Sequence, residues 1–208
     1  PAFRGHLLAV SRDAELANVT LDGSADWGIA DARSLIYAKA GTLRLGEGVT
    51  LRNNDVTRQA AYPFHFGGAV YIGGGATVEM GAGALVEGCA ALSGGGFACN
   101  GTLVMDGGVI RGNEALSRPA GGQALAAGYG GAAMVYTNAG KIVMNGGAIE
   151  GNRAEASGGG IAQPIAFKDV EPFDGVEIHG GAIRDNYAAH TGGGLYVQAS
   201  NAALVDGS

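Results

Sequence analysis

The sequence predicts an all-β fold, a right-handed parallel β-helix of about six coils with three short strands in each coil. Three observations predict it: an excess of glycine, apolar residues that alternate with a period of two, and an internal repeat of about 25 residues. Glycine makes up 40 of the 208 residues, and interior glycines oppose helices. Hydrophobic residues make up 47% of the chain, which excludes a disordered polar chain.

The repeat begins with a short apolar strand that is followed by glycine. The segments that share this start are ANVTLDG at 17–23, TLRLGEGVTLRNN at 42–54, TVEMGAGALVEGC at 77–89, TLVMDGGVIRGN at 102–113, KIVMNGGAIEGN at 141–152, GVEIHGGAIRDN at 175–186 and AALVDG at 202–207. Another strand follows each turn at the end of these segments: GGAVYI at 67–72, GGGFAC at 94–99, GAAMV at 131–135, GGGIAQ at 158–163 and GGGLYV at 192–197. The alternation within these strands is the period of a strand with one buried face.

Equivalent apolar residues of successive repeats are expected to form inward columns. The alignment assigns Val19 and Leu21 to the same column positions as Leu43 and Leu45. A further inward column is formed by Leu51, Val86, Ile110, Ile149 and Ile183. One coil cannot bury its apolar face alone, but stacked coils bury a continuous core. Parallel crossover connections are nearly always right-handed, which sets the expected hand of the coil.

Two further columns follow from this stacking. The residue after each inward position of the last column points outward, and its charge alternates from coil to coil: Arg52, Glu87, Arg111, Glu150 and Arg184. Alternation is expected of an exposed column, because like charges directly opposite each other destabilise a sheet. The turn residues form a structural ladder of stacked amides, interrupted at Cys89: Asn54, Asn113, Asn152 and Asn186. Asparagine suits this place because it tolerates turn conformations and pairs its amide between coils.

The paired turn and strand motifs resemble those of a known class of bacterial proteins. They read LRNN before GGAV at 51–70, IEGN before GGGI at 149–161 and IRDN before GGGL at 183–195. The chain resembles the parallel β-helix repeats of bacterial surface proteins, in particular the chlamydial polymorphic outer membrane proteins, which pair FxxN with GGA[ILV]. Leu or Ile replaces the phenylalanine here, so the resemblance, over residues 17–208, is to the repeat class. It implies an extracellular or cell-surface location and adhesion or display, and it brings no catalytic residue.

We expect residues 1–208 to form a single β-helix domain that is a segment of a longer surface protein. Neither end carries a polar cap, and open coil ends would expose backbone groups and core. The formal net charge is −6 and no run of Lys or Arg occurs, so no nucleic-acid partner is expected. No apolar run is long enough to insert this segment into a membrane. The expected partners are a host surface protein or glycan, besides the rest of the parent chain.

Two insertions mark the candidate ligand site. They occupy residues 55–66 and 114–129 and flank the coil of Cys89, whose own turn at 90–93 is short. Loops on a rigid scaffold concentrate binding groups, so we predict a notch between the two insertions. Aromatic faces beside polar groups suit sugar rings or a peptide. The predicted wall residues are Arg58, Tyr62, Phe64, His65, Arg118, Gln123 and Tyr129. The alternative is that these aromatic residues pack onto the glycine-rich face of the coils.

A carbohydrate-active enzyme, either a polysaccharide lyase or a glycoside hydrolase, is the alternative function, and a purely structural stalk is a third. Such an enzyme would present its acid and base groups on one strand face. The candidate groups do not recur at a fixed offset: Asp22, Asp26, Asp31, Asp55, Arg58 and His65. The four histidines form no ligand-spaced motif, and the aspartate column of calcium-binding β-helix repeats is missing. We therefore assign no catalytic residue, metal or cofactor.

The two cysteines lie ten residues apart, near one corner of a single predicted coil. Cys89 is a turn residue, and Cys99 lies inward on the following strand. A disulfide between them, which an extracellular setting permits, would fasten that coil with about 2–3 kcal/mol. The alternative is a pair of small buried thiols that fill narrow core positions.

Overall fold

The computed structural model describes residues 5–23, 33–58, 66–117, 128–135, 137–164, 175–198 and 204–205. In these residues the chain winds through six coils and the start of a seventh. The first two coils contain β1 Leu8–Val10, β2 Ala14–Leu16, β3 Thr20–Asp22, β4 Ile36–Ala38, β5 Gly41–Leu45 and β6 Thr50–Arg52. The next two contain β7 Val70–Ile72, β8 Ala76–Met80, β9 Leu85–Glu87, β10 Ala90–Ala91, β11 Phe97–Cys99, β12 Thr102–Met105, β13 Val109–Arg111 and β14 Glu114–Ala115. The remainder contain β15 Ala133–Val135, β16 Lys141–Met144, β17 Ala148–Glu150, β18 Arg153–Ala154, β19 Ile161–Gln163, β20 Val176–Ile178, β21 Ala182–Arg184, β22 Tyr187–Ala188, β23 Leu195–Val197 and β24 Leu204–Val205.

Strands at equivalent places in successive coils pair in parallel and form three long sheets. Sheet 1 has seven strands in the order β1-β4-β7-β11-β15-β19-β23, and sheet 2 has seven in the order β2-β5-β8-β12-β16-β20-β24. Sheet 3 has six strands in the order β3-β6-β9-β13-β17-β21. Each strand therefore neighbours its equivalent one coil away, which confirms the predicted parallel β-helix. Over the described ranges, no helix has the length and apolar character needed to cross a bilayer.

A fourth, narrower sheet lies between sheets 3 and 1 in four successive coils. Sheet 4 has the order β10-β14-β18-β22, and each of its strands has two residues. The sequence predicted three strands in each coil and did not predict this sheet. Two residues are too few for an apolar alternation to be recognised.

The inward columns have the predicted register over most of the molecule. Sheet 3 aligns Leu51 with Val86, Val86 with Ile110, and Ile110 with Ile149. All four side chains are buried. They belong to one continuous apolar cluster that runs along the axis, and burial of this kind is the main stabilising contribution to a solenoid.

The first coil departs from the predicted register. The sequence alignment placed Val19 and Leu21 in sheet 2, but β3, which contains Leu21, pairs with β6 in sheet 3. The place in sheet 2 is taken by β2, which pairs with β5. The alignment was wrong because the segment around Leu21 resembles both halves of the next repeat, each of which contains Thr-Leu followed by a charged residue. In the observed register Asp22 lies opposite Arg52 and extends the outward charge column by one coil.

Candidate functional site

The two long insertions begin and end beside the same short segment. Asp55, at the start of the first insertion, forms an isolated parallel bridge with Ala90. Ser93 bridges to Phe66, where the first insertion ends, and to Tyr129, where the second ends. The short turn of the Cys89 coil therefore lies between the stems of both insertions.

Two of the seven predicted wall residues lie in the described part of the chain. Arg58 is exposed and Tyr129 is partly exposed. The Tyr129 ring stacks on Tyr196 with 6.1 Å between ring centroids and 22° between ring planes. The backbone N–H of Tyr129 donates a hydrogen bond to Ser93 Oγ at 3.3 Å. The other predicted wall residues lie outside the described ranges: Tyr62, Phe64, His65, Arg118 and Gln123.

The outer face of sheet 1 beside these stems carries a second apolar cluster. It is separate from the core and has the buried members Phe66, Tyr71, Leu92, Ala98 and Met134. Tyr37 and Tyr129 pack against it. The alternative interpretation expected the aromatic wall residues to pack on the glycine-rich face, and Tyr129, the aromatic wall residue in the described ranges, packs against this cluster. Tyr129 is also partly exposed.

The corner that follows sheet 3 repeats one backbone geometry in five successive coils. Its first turn residue has a left-handed conformation, with φ of 60° at Gly88 and Gly112 and 61° at Gly151. Asn53 and Asp185 occupy the equivalent place with φ of 54° and 56°. Glycine adopts this conformation without steric cost, and Asn and Asp tolerate it better than other residues. The turn directs the following residue, usually asparagine, toward the interior.

Inside this corner three asparagines form a hydrogen-bonded ladder. Asn152 Oδ1 accepts hydrogen bonds from the backbone N–H and from Nδ2 of Asn113, both at 3.0 Å. Asn186 Oδ1 accepts the same two bonds from Asn152, both at 2.9 Å. Asn152 Nδ2 also donates to the carbonyl of Ile110 in the preceding coil at 3.0 Å. The ladder therefore ties neighbouring coils together through buried polar groups.

The ladder does not extend to Asn54. The backbone N–H of Cys89 donates to Asn113 Oδ1 at 3.0 Å, but the thiol carries no amide that could continue the column. The Asn54 amide turns away and donates to the carbonyls of Arg33 and Gly68 at 2.8 and 2.6 Å. Asn54 thus holds the corner beside the first insertion by a separate set of bonds.

In the structure Cys89 and Cys99 are free, buried thiols, which is the arrangement that the alternative to the disulfide expected. The Cys89 thiol lies against the carbonyl of Glu87 at 3.5 Å. Cys99 lies inward in sheet 1 beside Ile72 of the preceding coil. The two cysteines therefore fill separate core positions. Burial raises the pKa of Cys89 to about 12 and also raises the pKa of Cys99.

On the outside of the same corner, the charged column forms ion pairs between neighbouring coils. The alternation predicted from Arg52 to Arg184 is confirmed by the register of sheet 3. A groove of about 660 Å³ runs beside this column. It is lined by Asn53, Glu87, Gly88, Arg111, Gly112, Glu150, Gly151, Arg184 and Asp185. This groove was not predicted from the sequence, although a charged residue followed by glycine recurs at 87–88, 111–112 and 150–151 and could have indicated it.

The described acidic groups that were considered for catalysis take part in local structure. Asp22 accepts a hydrogen bond from Arg52 Nε at 2.8 Å. Asp55 accepts one from the backbone N–H of Thr57 at 2.8 Å and another from its hydroxyl at 2.5 Å. The remaining candidates, Asp26, Asp31 and His65, lie outside the described ranges. Among the described residues, no group of three His, Cys, Asp or Glu side chains is placed to hold a metal ion.

The parallel β-helix is thus established by the strand pairing of the chain itself, and the resemblance to bacterial surface repeats rests on its repeat motifs. No protein-family model, no curated protein and no solved structure matches the chain.

Proposed function

We propose that the chain is an adhesin-like β-helix of a bacterial cell-surface or secreted protein, a rigid scaffold whose two insertions bind a host protein or glycan. The observation that carries this proposal is the position of the insertion stems. Both insertions end at residues that bridge to Ser93, namely Phe66 and Tyr129. Loops that arise from adjacent points of a rigid scaffold can act together on one ligand.

The scaffold favours binding because it holds the stems in place before a ligand arrives. Sheet 1 continues through both stem coils, and Phe97 of the Cys89 coil lies opposite Val70 on one side and Ala133 on the other. The continuous core supports the same coils from the inside, and the asparagine ladder ties the coil of Asn113, where the second insertion begins, to the next coil. A preorganised surface loses less conformational entropy when it binds, which leaves more of the contact energy for affinity.

The chemistry at the stems suits a sugar or a peptide. The stacked pair of Tyr129 and Tyr196 presents an apolar ring surface with a hydroxyl at its edge, and exposed Arg58 supplies a planar donor group near the first insertion. Tyrosine and arginine are enriched where proteins recognise ligands, because they combine apolar contact with hydrogen bonding.

A binding array with mammalian glycans and extracellular-matrix proteins tests this proposal. We expect the 208-residue chain to bind a defined set of array ligands, and the variant Tyr62→Ala/Tyr129→Ala to bind the same ligands at least about tenfold more weakly, because each lost aromatic contact is worth about 1 kcal/mol or more. Arg44→Ala is the matched control, since Arg44 is exposed on sheet 2, away from the insertions. Binding that survives in the double variant would overturn the assignment of the insertions.

Two other outcomes would favour the competing functions. Release of unsaturated products from polyuronates by the purified chain, followed by their ultraviolet absorbance, would indicate a lyase and contradict an adhesin. Failure to bind any array ligand, with the fold intact, would leave the chain as a structural stalk and would also contradict the proposal.

A further inference from the structure

The groove outside the corner between sheets 3 and 4 has an open floor. The packing of the coils does not require the floor to be open. Its floor is formed by Gly88, Gly112 and Gly151. A Cβ atom added to Gly112 or Gly151 would meet no other atom within 4 Å. Asn53 and Asp185 show that a side chain is accommodated in this left-handed position, and they close the floor at its two ends. The three glycines therefore leave a channel about 10 Å long between Gly88 and Gly151, at about 4.8 Å for each coil.

The wall of the groove presents unused donors and acceptors in alternation. Arg111 directs both Nε and Nη2 to one oxygen of Glu87, Oε2, at 3.0 and 2.8 Å. Arg184 does the same to Oε2 of Glu150, at 2.9 and 2.5 Å. Within the described chain, the second carboxylate oxygen of each Glu and Nη1 of each Arg have no hydrogen-bond partner. A free acceptor and a free donor thus follow each other along the axis at about the spacing of the coils.

The balance of charge along the wall selects the class of ligand. Glu87, Glu150 and Asp185 carry three negative charges, and Arg111 and Arg184 carry two positive ones. The resulting net charge of −1 disfavours a polyanion and attracts a polycation only weakly. A hydroxyl group can donate to a carboxylate and accept from a guanidinium at the same time. A chain of sugar rings supplies hydroxyls at regular intervals, and hydrogen bonds to charged groups are the stronger kind.

We propose that this groove binds an uncharged linear polysaccharide that lies along the β-helix axis. An exposed aromatic residue lies beside the end of the groove, in sheet 4 of the coil that contains Asp185. Tyr187 follows Asp185 by two residues and is 55% exposed, and its ring is held under the guanidinium of Arg153 at 5.3 Å. An exposed tyrosine ring at the end of a polar groove offers a face on which a sugar ring can stack. This site is separate from the insertions and does not depend on the function proposed for them.

Affinity electrophoresis in native gels tests the proposal directly. The probes are two uncharged polysaccharides, hydroxyethylcellulose and galactomannan, and one polyanion, polygalacturonate. We expect at least one uncharged polymer to retard the 208-residue chain, and polygalacturonate to have no comparable effect. Gly112→Asn/Gly151→Asn fills the floor with the residue that Asn53 already places in this conformation, so this variant should fold normally. Its dissociation constant for the retarding polymer should rise at least about tenfold.

A second pair of variants separates the groove from a general surface effect. Glu87→Ala/Arg111→Ala removes a donor and an acceptor without changing the net charge, and it should weaken binding about tenfold or more. Arg44→Ala/Glu79→Ala removes a similar ion pair, 2.8 Å long, from sheet 2 and should leave binding unchanged.

Three results would overturn the proposal: no retardation by either uncharged polymer, equal retardation of the groove variants and the wild-type chain, or stronger retardation by polygalacturonate. Tyr62→Ala/Tyr129→Ala should retain the retardation, which distinguishes failure of this groove from failure of the insertion site.

Discussion

Two buried side-chain amides differ in their hydrogen-bond partners. Asn152 lies at the corner after sheet 3 and is 1% exposed, and Gln163 lies on the inner face of sheet 1 and is 3% exposed. Asn152 Nδ2 donates to the carbonyls of Ile110 and Glu150 and to Asn186 Oδ1, at 2.9 to 3.1 Å. Among the described residues, Gln163 Nε2 has no hydrogen-bond partner. The corner leaves backbone carbonyls available to a side chain, whereas the strand beside Gln163 uses its carbonyls for sheet pairing. The corner therefore satisfies the buried amide of Asn152, whereas the inner face of sheet 1 leaves that of Gln163 without a partner among the described residues.

The largest effect is expected where the corner loses its amide. Asn152→Ala leaves the buried backbone N–H of Asn113 without its acceptor and removes the Nδ2 bonds to the carbonyls of Ile110 and Glu150. The free energy of unfolding should therefore fall by about 3 kcal/mol, at about 1–3 kcal/mol for the unsatisfied N–H and about 1 kcal/mol for each lost bond. Asn145→Ala is the control, because Asn145 is exposed and its amide donates to exposed Asp106. Urea unfolding of both variants measures the difference. Equal losses in the two variants would show that the ladder contributes nothing beyond an exposed bond.

The buried thiols of Cys89 and Cys99 can be compared with the buried amides. They differ from the amides in that they can ionise. Burial raises the pKa of both, that of Cys89 to about 12 from an ordinary value of 9.0. Because the folded state disfavours the thiolate, their contribution to stability is complete below about pH 9 and is lost as pH rises toward 12. Thermal unfolding between pH 8 and pH 11 should show this loss, and Cys99→Ala should reduce it.

Thiol titration checks the same environment without heating. A thiol reagent at pH 8 should label neither cysteine in the folded chain and both in urea, since the reactive species is the thiolate. A chain that shows no reactive thiol in urea without a reductant would contain a disulfide and contradict the free thiols of the structure.

Much of the fold could be predicted because the repeat carries its own register. In sheet 3 each inward position holds an apolar residue, and the residue after it, which points outward, is charged. A shift of the register by one residue would therefore bury Arg111 in the inward position that Ile110 occupies. The predicted register was wrong at Leu21, because the local sequence there fits sheet 2 and sheet 3 equally well. Only the pairing of the preceding strand, β2, decides between them.

The candidate sites were less predictable, because they depend on what surrounds a residue. The alternation predicts that Gln163 points inward, but its lack of a partner depends on the carbonyls of neighbouring strands. The groove depends on where the side chains of Arg111 and Arg184 lie above the glycine turns, which a repeat alignment does not specify. Asn54 aligns with the other asparagines and yet bonds elsewhere, because Cys89 breaks the column beside it.

A gain in stability is expected where an unsatisfied amide is removed from an inner face. Gln163→Met replaces it with an apolar side chain of similar length beside Val197, and thioethers adapt to irregular core space. The free energy of unfolding should rise by about 1–2 kcal/mol, the cost of one unsatisfied buried group. Gln198→Met, at an exposed position, should change it little. A loss of stability at residue 163 would mean that the amide has a partner in solution.

A smaller gain is expected if the corner ladder is completed. Cys89→Asn places an amide below Asn113, whose Oδ1 already accepts the backbone N–H of residue 89. One added hydrogen bond should raise the free energy of unfolding by about 1 kcal/mol. Cys89→Ala is the matched control and should give no gain. If both variants lose stability equally, the thiol is needed for packing and the ladder ends at Asn113 for that reason.

The smallest effect is expected outside the same corner. Arg184 and Glu150 are joined at 2.5 Å, yet their side chains are 61% and 25% exposed, and exposed ion pairs contribute only about 0–1 kcal/mol. Glu150→Ala/Arg184→Ala should therefore lower the free energy of unfolding by about 0.5 kcal/mol, with little change between 0.1 and 1 M salt beyond that seen in the wild-type chain. A loss as large as that of Asn152→Ala would make the outer column part of the stabilising framework. A small loss would mean that stability does not constrain these charges, as expected if they serve the ligand proposed for the groove.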